Sequence, residues 1–126
     1  MNAKKIVGGV IILIVLLFGW YYYKDFTTPG AYDEFAQCLA DEGATFYGAF
    51  WCPNCNNQKE LFGKSEKLLP YTECSTPNGQ GQLQICVDAN VTAYPTWEFE
   101  DGSRLVGVQT LETLSEKTGC ELQEGE

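Results

Sequence analysis

The sequence contains no histidine, and its eight basic residues face 17 acidic ones. Six cysteines are present, yet only Cys52 and Cys55 have C-x-x-C spacing; Cys74 and Cys86 are separated by eleven residues. A tetrahedral zinc site on Cys52 and Cys55 would need two more ligands, and neither histidine nor a second C-x-x-C supplies them, so no metal is expected. All 17 acidic residues lie beyond Lys24, against Lys59, Lys64, Lys67, Arg104 and Lys117, a net charge of −12. That balance disfavours nucleic acid or any other polyanionic phosphate partner. It fits a solvated surface, and a high-salt habitat is the other explanation. No internal repeat or long low-complexity segment is visible.

Charge is missing altogether from residues 6–23 (IVGGVIILIVLLFGWYYY). At about 1.5 Å rise per residue this run just crosses a hydrocarbon core of about 30 Å. Lys4 and Lys5 before an apolar stretch also describe a cleaved secretory signal. The run exceeds the usual apolar region of such signals, no A-x-A-like site follows, and Trp20, Tyr21, Tyr22 and Tyr23 form an interfacial aromatic belt. The reading is therefore a signal anchor over residues 1–24, lodged in a lipid bilayer through 6–23. Lys4 and Lys5 precede the span, whereas Lys24 is offset by Asp25, so the C-terminal domain is expected on the extracytoplasmic side of a single-pass membrane protein. A periplasm, organelle lumen or cell exterior is also where six cysteines can persist as disulfides.

Roughly 100 residues remain, enough for one domain with one core. A linker over 25–34, a domain over 35–120 and a frayed tail over 121–126 are expected. Tyr32, Phe35, Ala36, Leu39 and Ala40 recur at helical spacing before Gly43. Residues 44–50 (ATFYGAF) read as a buried strand running into Trp51-Cys52-Pro53-Asn54-Cys55, with a helix onward to Gly63. Tyr71 to Cys74 is a second strand, 75–81 (STPNGQG) a turn-rich loop, and 82–89 a short helix. Residues 96–100 and 103–108 alternate as two strands about Asp101-Gly102, and Thr110 caps a last helix that ends at Gly119. This order predicts an α/β domain, a mixed central sheet with helices on both faces.

Cys52 and Cys55 fall where the buried strand meets the helix, with Pro53 at an early helical position where its missing N–H costs nothing. Free N–H groups and positive potential at a helix N-terminus stabilise a thiolate. Cys52 is thus the expected nucleophile. Cys55, one turn later on the same face, is placed to attack a mixed disulfide that Cys52 forms with substrate. Tyr94-Pro95 precedes a strand and marks a bend or strand start.

The segments FAQCLADEGATFYGAFWCPNCNNQKELFG, LPYTECS, CVDANVTAYPTWEFEDG and LVGVQTLETLSEKTG closely resemble the thioredoxin-like domain associated with bacterial and plant homologues of vitamin K epoxide reductase. The likeness covers roughly 35–119 and implies a thioredoxin-like fold lacking its first strand. It also implies a redox-active Cys52–Cys55 pair, a cis Pro95 beside it, and a separate disulfide between Cys74 and Cys86. Within these 126 residues a single apolar span is expected where the resemblance would have the four-helix epoxide-reductase-like portion. Ordinary thioredoxins, which are less similar, carry a buried aspartate six residues before the first active cysteine, where Phe46 stands here; a proton acceptor for the second cysteine is thereby lost. Cys38 and Cys120 have no counterpart in the resemblance, and two buried thiols or a third disulfide fit them equally.

The expected activity is thiol–disulfide exchange with exported proteins, chiefly oxidation, with a vitamin K epoxide reductase-like membrane protein reoxidising the pair and no metal or organic cofactor. Trp51, Tyr94, Pro95 and Thr96 are the expected substrate-binding residues, the proline's neighbours offering backbone groups to an extended segment. Two alternatives stay open: a tethered reductase or isomerase, and a binding module in which all six cysteines are staples.

Overall fold

A computed structural model describes residues 2–123; the last residues of the expected tail, 124–126, lie outside them. Helix α1 (Ala3–Thr27) has 25 residues, an 18-residue stretch of mean hydropathy 2.2 and no buried side chain. It is about 37 Å long at 1.5 Å per residue and apolar enough to cross a membrane. Past its end come α2 (Asp33–Asp41), β1 (Thr45–Gly48), α3 (Pro53–Glu60), a 3₁₀ helix (Gly63–Leu68), β2 (Tyr71–Glu73), α4 (Gln84–Asp88), β3 (Thr96–Glu98), β4 (Arg104–Val106) and α5 (Leu111–Thr118).

The four strands lie in the order β2-β1-β3-β4. β1 and β2 are parallel, Phe46 opposite Tyr71, and α3 with the 3₁₀ helix makes the crossover that a parallel pair requires. β3 runs antiparallel to both β1 and β4, with Trp97 between Phe46 and Leu105. The chain is therefore a mixed α/β domain preceded by one apolar helix.

Successive strand residues point to opposite faces, and Phe46 and Tyr47 show what that does. Phe46 is fully buried, stacks on Trp97 at 4.9 Å between ring centroids and meets Tyr71 edge-on at 5.1 Å. Around them gather Phe35 and Leu39 of α2, Phe62, Leu114 of α5 and Cys120. Tyr47, on the other face, joins a smaller cluster of Cys74, Cys86 and Val91. Helices do flank both faces, but unequally: α4 alone serves the second.

The strands are shorter than the sequence suggests. β1 stops at Gly48 because Ala49 turns the chain, its carbonyl accepting from the Cys52 N–H at 3.0 Å. β4 stops at Val106 because Gly107 takes φ 95°, from where its N–H reaches the Pro95 carbonyl at 2.9 Å. The helix after Cys52 ends at Glu60, and the 3₁₀ helix that follows was not foreseen; its fully buried Ser65 accepts from the Tyr32 N–H. Leu122 packs against the main cluster and Gln123 hydrogen-bonds Glu34.

Candidate active site

Cys52 is the residue just before the first turn of α3, with extended backbone (φ −80°, ψ 116°) and Pro53 as the first helical residue. A helix start leaves several N–H groups without partners inside the helix. Here the Cys52 sulfur accepts one of them, from Cys55 at 3.2 Å, the role that serine or aspartate commonly fills. Both cysteines are free thiols and both are buried, Cys52 at 6% exposure and Cys55 at zero. Cys52 therefore keeps a sliver of access that Cys55 lacks. Burial, followed by its hydrogen bond with Cys52, pushes the Cys55 thiol up to about 12.

The approach of α3 to the sheet depends on Gly48. A β-carbon there would sit 2.9 Å from the Tyr71 ring, closer than real β-carbons come, and a tight 3.0 Å from the Cys55 sulfur. Glycine at this strand end thus lets ring and sulfur converge on the backbone.

Three further groups hold the site rigid. Gln58, fully buried on α3, accepts from the Trp97 indole N–H at 3.1 Å and from the Gln109 N–H at 2.7 Å, and donates to the Gln109 carbonyl at 3.0 Å. It ties the cysteine helix to β3 and to the loop before α5. Glu73 accepts from the Phe50 N–H, the Ser75 N–H and the Tyr71 hydroxyl, at 3.2, 2.9 and 2.8 Å. Its carboxylate so clips the turn preceding the cysteines to the end of β2. The Trp51 indole N–H donates to Ser75 at 2.8 Å, and the half-exposed ring stands edge-on to Tyr94 at 6.1 Å.

The peptide bond between Tyr94 and Pro95 is cis, and Pro95 is fully buried. Thr96 differs from the sequence expectation. It is 3% exposed and lies within β3 between Tyr47 and Val106, its hydroxyl donating to the Ala93 carbonyl, so it offers no open edge to a substrate. Tyr94 precedes the strand, and among the described residues its N–H and C=O make no backbone hydrogen bond. The open face is therefore made by Trp51 and Tyr94, with Phe50 exposed beside them and the Gly79 turn packed against Trp51 and Phe50.

The other four cysteines are bonded. Cys74–Cys86 closes a twelve-residue separation with Cα atoms 5.6 Å apart, and Cys38–Cys120 spans 82 residues at 5.9 Å. The second bond resolves the pair that sequence reasoning left open, fastening α2 to the chain beyond α5. Among the described residues no group of three or more cysteine, aspartate or glutamate side chains is arranged to hold a metal ion. Sequence reasoning missed Gln58, Tyr71 and Glu73. A glutamine facing inward on an otherwise polar helix and a glycine inside an aromatic strand were the available signals.

No protein-family model matches the chain. It is similar to the thiol-disulfide oxidoreductase LTO1 of Arabidopsis thaliana, with 42% identity over 94 residues, 71% of this chain. The chain spans about a quarter of that relative's length, 24%.

Proposed function

We propose that this chain is a thiol:disulfide oxidoreductase of thioredoxin-like fold, held in a membrane by α1 and acting on exported proteins through Cys52 and Cys55. One observation carries the reading. In a chain whose other four cysteines are bonded, the remaining two are free, sit at the start of α3, and share a hydrogen bond at 3.2 Å. The similarity to a protein named for this activity supports it. The fold assignment is supported by the sheet order with one parallel and two antiparallel pairings, by cysteines at the first crossover helix, and by the cis bond before β3.

In the oxidising direction a substrate thiolate attacks the Cys52 sulfur of the Cys52–Cys55 disulfide. That bond breaks, Cys55 leaves as thiolate and takes a proton, and substrate is joined to Cys52. A second substrate thiolate then attacks its own sulfur in the mixed disulfide and releases Cys52, so two electrons pass to the protein. Tyr94 supplies unpaired backbone groups to an extended substrate segment, and Trp51 borders it. Such recognition reads backbone more than sequence. A vitamin K epoxide reductase-like membrane protein as the reoxidant follows from the resemblance of residues 35–119 to domains associated with that family.

Cys55→Ala tests the reading directly. Expressed in an envelope that makes disulfides, this variant is expected to accumulate mixed disulfides through Cys52, released by reductant and absent from the Cys52→Ser, Cys55→Ala double variant. Finding none would reject the exchange mechanism. The reduction potential gives the direction of flow, since strong oxidants of this class lie near −120 mV and thioredoxin near −270 mV.

A further inference from the structure

Cys55 is caught between two demands. To attack a mixed disulfide at Cys52, or to leave when substrate opens the Cys52–Cys55 bond, it must carry negative charge, yet its sulfur is wholly buried. The carboxylate of ordinary thioredoxins is replaced by Phe46, which is packed between Trp97 and Tyr71. The titratable and charged groups around Cys55 are Cys52 and Lys59 on its own helix and, from the adjoining strand β2, Tyr71 with Glu73 behind it.

Lys59 follows Cys55 by four residues, the spacing that sets two side chains one above the other on one helix face. Its ammonium stands over the Tyr71 ring, 3.7 Å from the centroid. The same ring touches the Gly48 position beside the Cys55 sulfur. One aromatic side chain thus seats the lysine on its face and brings its edge to the same Gly48 position that the Cys55 sulfur approaches. From this arrangement, resting on the exchange reading above, the geometry points to Lys59, seated on Tyr71, as the charge that stabilises the Cys55 thiolate at the moment of disulfide exchange.

The electrostatics agree in sign. Burial dominates and pushes the Cys55 thiol up and the hydrogen bond with Cys52 adds to it, while a backbone hydrogen bond at Ala49 and, after it, the Lys59 charge pull the other way. Tyr71 brings no competing negative charge, because burial and its hydrogen bond to Glu73 hold the phenol far above its ordinary range. The Glu73 carboxylate is taken up by three donors, the Tyr71 hydroxyl and the Phe50 and Ser75 N–H groups. Among the described residues the positive charge left to act on the thiolate is that of Lys59, beside the backbone hydrogen bond at Ala49. The same step runs in both directions of electron flow, so the inference holds for an oxidant and a reductant alike.

Ellman's reagent separates the two cysteines in time. The dithiol protein first releases one nitrothiobenzoate as Cys52 attacks and forms a mixed disulfide. It releases a second as the Cys55 thiolate attacks the Cys52 sulfur, breaks the mixed disulfide and closes the Cys52–Cys55 bond. Lys59→Met is expected to leave the first phase within twofold and to move the pH profile of the second upward by about one unit. A unit cuts the thiolate tenfold while raising its intrinsic nucleophilicity, so at neutral pH the second phase slows about three- to fourfold. Lys59→Arg restores it. Tyr71→Phe, which keeps the ring, behaves as wild type, whereas Tyr71→Leu behaves as Lys59→Met. A second phase of unchanged rate and pH profile in Lys59→Met overturns the inference, as does equal slowing of both phases. A wild-type protein with no second phase at all overturns the exchange reading on which it rests.

Discussion

Two residues lie between Cys52 and Cys55, which remain free, while eleven lie between Cys74 and Cys86, which are bonded. The near pair sits on a helix start, where Cys52 is occupied with the N–H of Cys55 and the backbone is already fixed by Pro53 and the first turn. A bond between these two sulfurs therefore adds little order to the chain. The far pair is separated by a polar, glycine-containing loop, so its bond removes conformations the loop would otherwise sample. On the exchange reading one pair cycles because the fold does not rely on its bond; the other belongs to the fold.

The hardest blow to that contrast is exchange of roles. Cys52→Ser is expected to lower thiol–disulfide exchange on a model dithiol peptide to the uncatalysed rate, whereas Cys74→Ser with Cys86→Ser should retain most of the rate at a temperature where the variant is folded. Retained activity without Cys52 would refute the assignment. For stability the ranking reverses. Losing Cys38–Cys120, with its separation of 82, should cost about 4.5 kcal/mol, and losing Cys74–Cys86 about 3, from loop-closure entropy. Denaturant titration of each double serine variant measures both, and equal losses would mean that strain or denatured-state structure outweighs loop length.

Gln58→Leu strips three hydrogen bonds from the buried junction of α3, β3 and the loop before α5. A loss of about 2 to 4 kcal/mol is expected, because the Trp97 indole N–H and the Gln109 groups stay buried without partners. An unchanged midpoint would show that α3 needs no such tie.

A pH titration sharpens the comparison further. The Cys55 thiol is pushed up by burial from its ordinary value of 9.0 to about 12. The folded dithiol protein thus holds this proton more tightly than the unfolded chain. Its contribution is full below about pH 9 and is lost as pH rises towards about 12. The Cys52–Cys55 disulfide form has no such thiol, so the stability difference between the two redox forms should change with pH in that window. The smallest effect is expected at the exposed Lys64–Asp25 pair, 2.6 Å apart, where Lys64→Met should change stability by less than about 1 kcal/mol.

Much of this protein is written in its sequence. The uncharged run at 6–23, the aromatic strand before Cys52, the Asp101-Gly102 turn and the Thr110 and Gly119 caps all act over a few residues. Local periodicity and local hydrogen bonding suffice to read them, as Thr110 accepting from the Thr113 N–H and Gly119 at φ 78° illustrate. The C-x-x-C at a strand–helix junction is local in the same sense. What the chain alone did not reveal are contacts between residues far apart in sequence. Cys38 meets Cys120 only once α2 and α5 share one core. Thr96 looks like an open strand start until β4 pairs beyond it. Tyr71 seats Lys59 beside Cys55 only because β2 lies parallel to β1, with a glycine at 48 to admit the ring. The expected chemistry at the cysteines follows from sequence, since a helix start is a property of a short segment; the burial of the second sulfur, and the charge proposed to act on it, depend on which strand the sheet sets beside it, and that is a decision of tertiary structure.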